Sequence, residues 1–131
     1  MKKLMFAAAV ALWSMPAFAV DLSVVLKDDN DQPAQDQLAP LTDAKCGDKT
    51  GFKCLTLGAA AFHALVFNFP DENTIDGEAK FKRGLLAAKI KGKDNLDLSA
   101  EDIATIKRVI GKLYGAWIVT QSWQLLDPGA K

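Results

Sequence analysis

SAEDIATIKRVIGKLYGAWIVTQSWQLL, residues 99–126, is the longest stretch of sustained helical period in the chain, and it decides the fold. Ser99 is a good N-cap, Asp102 follows three residues on as a shortened capping-box partner, and Glu101 and Asp102 suit the positive end of the helix dipole. Ile103, Ile106, Val109, Ile110, Leu113 and Tyr114 then recur at spacings of three and four, which makes one apolar stripe. Beyond Gly115, the residues Ile118, Val119, Trp123, Leu125 and Leu126 fall on nearly the opposite side of the same helical wheel. An unbroken helix would also be roughly 40 Å long, about the width of a domain this small. The pattern therefore predicts two helices, or one sharply kinked at Gly115. Trp117 extends the first stripe and is expected in the main core. Val119, Trp123 and Leu126 belong to the second stripe, expected to be partly uncovered and to form an interaction surface.

Two more helices are expected upstream to pack on this one. LTLGAAAFHALVFNFP (55–70) predicts a helix over about 56–68, with Thr56 as N-cap and Pro70 beyond its end. Gly58, Ala59, Ala60, Ala61 and Ala64 permit close approach, and the segment is apolar nearly all round, as a central buried helix is. DENTIDGEAKFKRGLLAAKIKGK (71–93) predicts a helix from an Asp76 N-cap to about Lys91, with Phe81, Leu85, Leu86, Ala88 and Ile90 facing inward. Lys80, Lys82, Arg83, Lys89, Lys91 and Lys93 make this the strongest local charge bias. A solvated face is the plain explanation; an anion or acidic-partner surface is the functional one, with Lys82, Arg83 and Lys89 as its candidates. KGKDNLD (91–97) reads as a polar loop.

The N-terminus carries the firmest functional signal. Lys2 and Lys3 precede an apolar run over 4–13, Pro16 breaks it, and Ala17-Phe18-Ala19 is a small-x-small cleavage site. The apolar run is about half of the ~20 residues that span a bilayer. Residues 1–19 are therefore expected to be a cleaved signal peptide, and 20–131 a single helical domain in the periplasm or outside the cell, with no stable membrane insertion. The chain's 16 basic and 16 acidic side chains become a slight acidic excess once Lys2 and Lys3 are removed. That balance excludes nucleic acid as a main partner.

Within that domain, 20–53 reads as extended or loop-rich and 54–131 as helical. Val24-Val25-Leu26 suits a short strand or a helical turn, and DDNDQP (28–33) is a turn signal, so an early β-hairpin is one arrangement. Asp28, Asn30 and Gln32 alternate as calcium ligands do, but Pro33 and Ala39 stand where an EF-hand needs Gly and Glu. Cys46 and Cys54, the two cysteines, most simply form a disulfide in an oxidising compartment. Closing that short loop contributes about 2.5 kcal/mol by chain entropy. Zinc held by Cys46, Cys54 and His63 is the alternative; it lacks a fourth ligand and the close Cys-x-x-Cys pairs of structural sites. No cofactor or metal is expected.

Catalytic chemistry is thinly supplied. The single histidine, His63, lies on the alanine-rich helix, and beyond the signal peptide only Ser23, Ser99 and Ser122 are serines. Asp94 and Asp97 could mimic a carboxylate pair, but their polar surroundings offer nothing to raise a pKa.

From about residue 21 onward the order of features resembles a set of small helical phage and prophage proteins without an assigned activity. DLSVVLKD (21–28), LTLG (55–58), GEAKFKRGLLAAKI (77–90) and above all LDLSAEDIATIKRVIGKLYGAWIVTQSWQLLD (96–127) carry the resemblance. It implies no catalytic residues. The export signal and the cysteine-flanked insertion before LTLG depart from that pattern and suggest a fold redirected to the envelope.

The expected architecture is a mainly α bundle of three to four helices, with an irregular or β-hairpin N-terminal segment stapled by one disulfide. The expected function is that of an exported, non-enzymatic binding protein acting on an envelope protein such as a receptor or a cell-wall enzyme. An oligomer-forming structural or assembly-associated phage protein is the alternative, and a small periplasmic enzyme a weaker one.

Overall fold

Thr56 opens the helix on which the others pack: its hydroxyl accepts the Ala59 amide at 3.1 Å, and helix α1 runs over Leu57–Val66. The computed structural model describes residues 17–72 and 74–128; the segment 1–16, most of the expected signal peptide, lies outside the described residues. Ala60, Ala61 and Ala64 of α1 are fully buried, and their small side chains let α2 (Gly77–Ile90) and α3 (Ala100–Leu113) pack against them. Asp76 caps α2 by accepting the Ala79 amide at 2.8 Å. Ser99 caps α3 by accepting the Asp102 amide at 3.1 Å. These short polar side chains pair the otherwise orphaned first-turn donors. Gly92, at φ +72°, ends α2 in the left-handed conformation that glycine tolerates best.

Gly58 marks the tightest contact. A Cβ there would lie 3.1 Å from both the Cβ and the carbonyl oxygen of Leu22, and that same carbonyl accepts the Gly58 amide at 2.9 Å. Alanine is a better helix former than glycine by about 1 kcal/mol, yet the clash with a pinned backbone group should outweigh this. Gly58→Ala is expected to destabilise by about 1–2 kcal/mol, read as a lower urea midpoint. An unchanged or higher midpoint would mean that the Leu22 segment gives way freely.

The stripe of α3 is as its period demands: Ile103, Ile106, Val109 and Ile110 are buried. The helix stops at Leu113, Tyr114 and Gly115 are extended, and α4 runs over Ala116–Leu126. Because the backbone breaks there, the phase of α3 does not carry into α4, and this overturns the placing of Trp117. Its side chain is 51% exposed, and its Nε1 donates to the Asp28 carbonyl at 2.9 Å. The buried residues of α4 are Ser122 and Leu126, with Ile118, Val119 and Leu125 packed partly against the same core.

Two strand pairs complete the fold. Strand β1 (Phe18–Asp21) pairs antiparallel with β4 (Asn95–Leu98), placing Val20 opposite Leu96. The end of the expected polar loop is therefore strand; Leu98 is fully buried and alternates with exposed Asp97, the period of a half-buried strand. Cleavage after Ala19 would leave Val20 and Asp21 paired. Strands β2 (Lys45–Cys46) and β3 (Lys49–Thr50) form a small hairpin. Cys46 is bonded to Cys54, with Cα atoms 4.8 Å apart, which removes both thiols from any zinc site.

The rest of the N-terminal segment is organised by backbone pairing. Ala34 donates to Leu26, Leu26 to Leu55, and Leu55 back to Ala34, all at 2.8–2.9 Å. Three distant segments are thus tied in one ring of hydrogen bonds. The turn at DDNDQP is closed by Asp28, whose Oδ1 accepts the amides of Asn30 and Gln32. Gln121 of α4 then holds this hairpin: its side-chain amide exchanges two hydrogen bonds of 2.8 Å with the backbone of Lys27, as a neighbouring strand would.

Candidate interaction surface

Helix α2 presents its apolar residues in an order that the charge run conceals. Its buried face is Arg83, Leu86, Ala87 and Ile90. Phe81 and Leu85, expected inward, are 65% and 55% exposed, and Ala88 is exposed with them. At 100° per residue these three form one outward stripe, opposite the buried face. Lys82 and Lys89 border it on one flank, Lys80 and Lys91 on the other.

Arg83 decides which face turns inward. Its Nη1 donates to Glu72 at 2.6 Å, and its Nη2 donates to the carbonyls of Phe67 and Ala64 at the end of α1. Lys112 of α3 reaches the other Glu72 oxygen at 3.2 Å, and the Phe69 ring lies beneath both cations. Arg83 therefore joins α1, α2 and the Pro70–Glu72 turn, and it is no part of an open surface. Burial alone would push the Glu72 carboxyl up, but hydrogen bonds from Arg83 and Lys112, with their charge, hold it below the usual carboxylate range.

Of the other sequence candidates, Leu126 is 1% exposed and belongs to the core. Val119 is half-buried against that core. Trp123 lies along α3: its Nε1 donates to the Lys107 carbonyl at 3.0 Å, its ring meets Gly111, and the Lys107 ammonium stands 4.8 Å from the ring centre. Both helix α4 tryptophans thus use their N–H groups on this chain's own backbone. Lys82 and Lys89 do lie on the surface, in weak exposed pairs with Glu78 and Asp102.

No family model, no curated protein and no solved structure matches the chain. A groove of about 470 Å³ runs between α2 and α3, lined by Lys82, Leu85, Lys89, Glu101, Thr105 and Arg108 among others. On the other flank of α2, a smaller cleft of about 260 Å³ joins Val66, Phe67, Lys80 and Gly84. Val66 and Phe67 are also well exposed. Leu85 lines the groove on one flank of α2, Val66 and Phe67 line the cleft on the other, and Phe81 is exposed on the outward stripe; large exposed apolar side chains with a polar rim are the mark of an interaction site. Sequence periodicity missed it because Phe81 and Leu85 have the same spacing as a core row; the signal that separates them is Arg83 lying on the other row.

His63 has a structural post. Its Nε2 is 2.9 Å from Oδ2 of Asp36, whose Oδ1 accepts the amides of Leu38 and Ala39. The pair ties α1 to the loop before the disulfide. The serines stand elsewhere: Ser23 donates to Asp21, Ser99 caps α3, and Ser122 is enclosed beneath α4. Asp94 and Asp97 are exposed around the start of β4. None of the described helices is long and apolar enough to cross a membrane.

Proposed function

We propose that the chain is an exported, non-enzymatic binding protein of phage or prophage type that docks on an envelope protein through the outward face of α2. The observation that carries this is the exposed Phe81–Leu85 stripe, bordered by lysines on both flanks. The partner it fits is a protein surface with an apolar patch rimmed by acids, since buried apolar anchors give affinity and complementary rim charges give rate and register. The adjoining groove wall carries Glu101 and Asp102 beside Lys82, Lys89 and Arg108. Such mixed charge suits a protein better than an anionic lipid surface, which the two acids would repel. The disulfide is at home in an oxidising compartment, and the signal-like N-terminus supplies the route there.

Phe81→Glu/Leu85→Glu tests the reading, because both side chains point away from the core and the fold should survive. The variant is expected to keep the wild-type melting temperature and to lose at least about tenfold in affinity for a protein captured by the wild type from a periplasmic extract. Equal capture by both would move the site off α2. Wild-type binding to anionic phosphatidylglycerol vesicles, with no protein captured, would assign this face to a membrane instead.

A further inference from the structure

We propose that the Ala19–Val20 bond is a processing site that only the unfolded chain presents, so that cleavage must precede folding. The chain must then cross the membrane before its domain closes. This ordering rests on reading residues 1–19 as an export signal, and the test separates a failure of that reading from a failure of the ordering itself.

The bond lies inside a strand. Phe18, Ala19 and Val20 stand opposite Leu98, Asp97 and Leu96 in the antiparallel pair of β1 with β4. Ala17 and Ala19, the small residues that mark the site, are exposed, so their side chains do not hide it. The residue after the bond does: Val20 is 3% exposed and belongs to the core. The chain beyond it is held more firmly still. The Leu22 amide donates to the Asp94 carbonyl at 2.6 Å, and the Leu22 carbonyl accepts the Gly58 amide at 2.9 Å. The Val24 carbonyl accepts the Leu57 amide and the Leu26 amide donates to the Leu55 carbonyl, both at 2.9 Å. Leu22 and Leu26 are themselves buried.

A peptidase draws several residues on each side of the bond into its own cleft, which is why exposed loops with few contacts are cut first. Here β1 would have to leave β4, and Val20 and Leu22 would have to leave the core. Cleavage of a folded chain is slowed by the small fraction of time it spends so opened, and segments tied to the core open least often. Hydrolysis adds water across the bond, leaving a carboxylate on Ala19 and an ammonium on Val20. Before folding nothing in the domain opposes that step. A chain that folds first keeps residues 1–19 attached. The Cys46–Cys54 bond staples the closed fold and forms in an oxidising compartment, which favours the same order of events.

The test incubates the full-length chain, folded and disulfide-intact in mild detergent, with purified general signal peptidase, beside two full-length variants. Ile106→Asp places a charge in the core and should unfold the domain. Leu98→Asp places one at the buried position opposite Phe18 and should free β1. The mass of the product reports the cut. Both variants are expected to yield a chain beginning at Val20 at least about a hundredfold faster than the wild type. Wild type cut as fast as Ile106→Asp, each giving Val20, overturns the masking and leaves the export signal standing. Rapid cutting of Ile106→Asp alone also overturns the proposal, because the β1–β4 pair is then not the mask. No cutting of any of the three means that the bond is not a processing site, and the export reading falls together with the proposal.

Discussion

Replacing Arg83 with alanine should destabilise the protein by about 3 kcal/mol, the lower end of the cost of breaking a buried ion pair from one side. The guanidinium is buried, and its removal strips the Phe67 and Ala64 carbonyls of a donor and Glu72 of its shortest partner. Lys112 remains on Glu72, which is why the cost falls at the lower end. Acid should act in the same direction. A carboxyl held below its ordinary value contributes stability that is complete above about pH 4.3 and fades as pH falls through the lowered folded value. The wild type should therefore lose stability on going from pH 7 to pH 3, and Arg83→Ala should lose less over the same interval. Urea midpoints at both pH values measure this. An unchanged midpoint at pH 7 would mean that Arg83 is a surface residue after all.

Ile106→Ala should cost about 4 kcal/mol and Trp117→Ala only about 1 kcal/mol, although tryptophan is the larger side chain. Ile106 is fully enclosed, so truncation leaves a cavity in addition to the lost transfer energy. Trp117 is half exposed and contributes chiefly one hydrogen bond to the Asp28 carbonyl, worth about 1 kcal/mol net. Thermal or chemical melts of the two variants decide between this ordering and the reverse. The reverse is what an unbroken α3 stripe extended through Trp117 would require.

That contrast shows where local sequence pattern ends as a guide. Thr56, Asp76 and Ser99 were legible as caps because a cap and the amide it binds are three residues apart. The stripe of α3, the break at Gly115 and the Cys46–Cys54 bond were legible for similar reasons: short spacing and period carry them. The pairing of β1 with β4 was not, since nothing near Val20 names Leu96 as its neighbour. Gln121 standing in for a strand beside Lys27 is equally distant in sequence. Arg83 was misplaced because its partners, Glu72 and two helix-end carbonyls, are visible only once α1 and α2 are laid together. The same blindness turned Phe81 and Leu85 inward. It also hid the Asp36–His63 tie, because burial in a wall formed by separate segments has no local signature.

Helix α2, and not the tryptophan-bearing α4, is the face proposed here to meet a partner. Site-specific photo-crosslinking in living cells separates the two faces, with a benzophenone amino acid at position 81 or at position 123 of the full chain. A discrete crosslinked protein is expected from position 81 and none from position 123, where the ring lies along α3 of this same chain. A crosslink from 123 with none from 81 would contradict it.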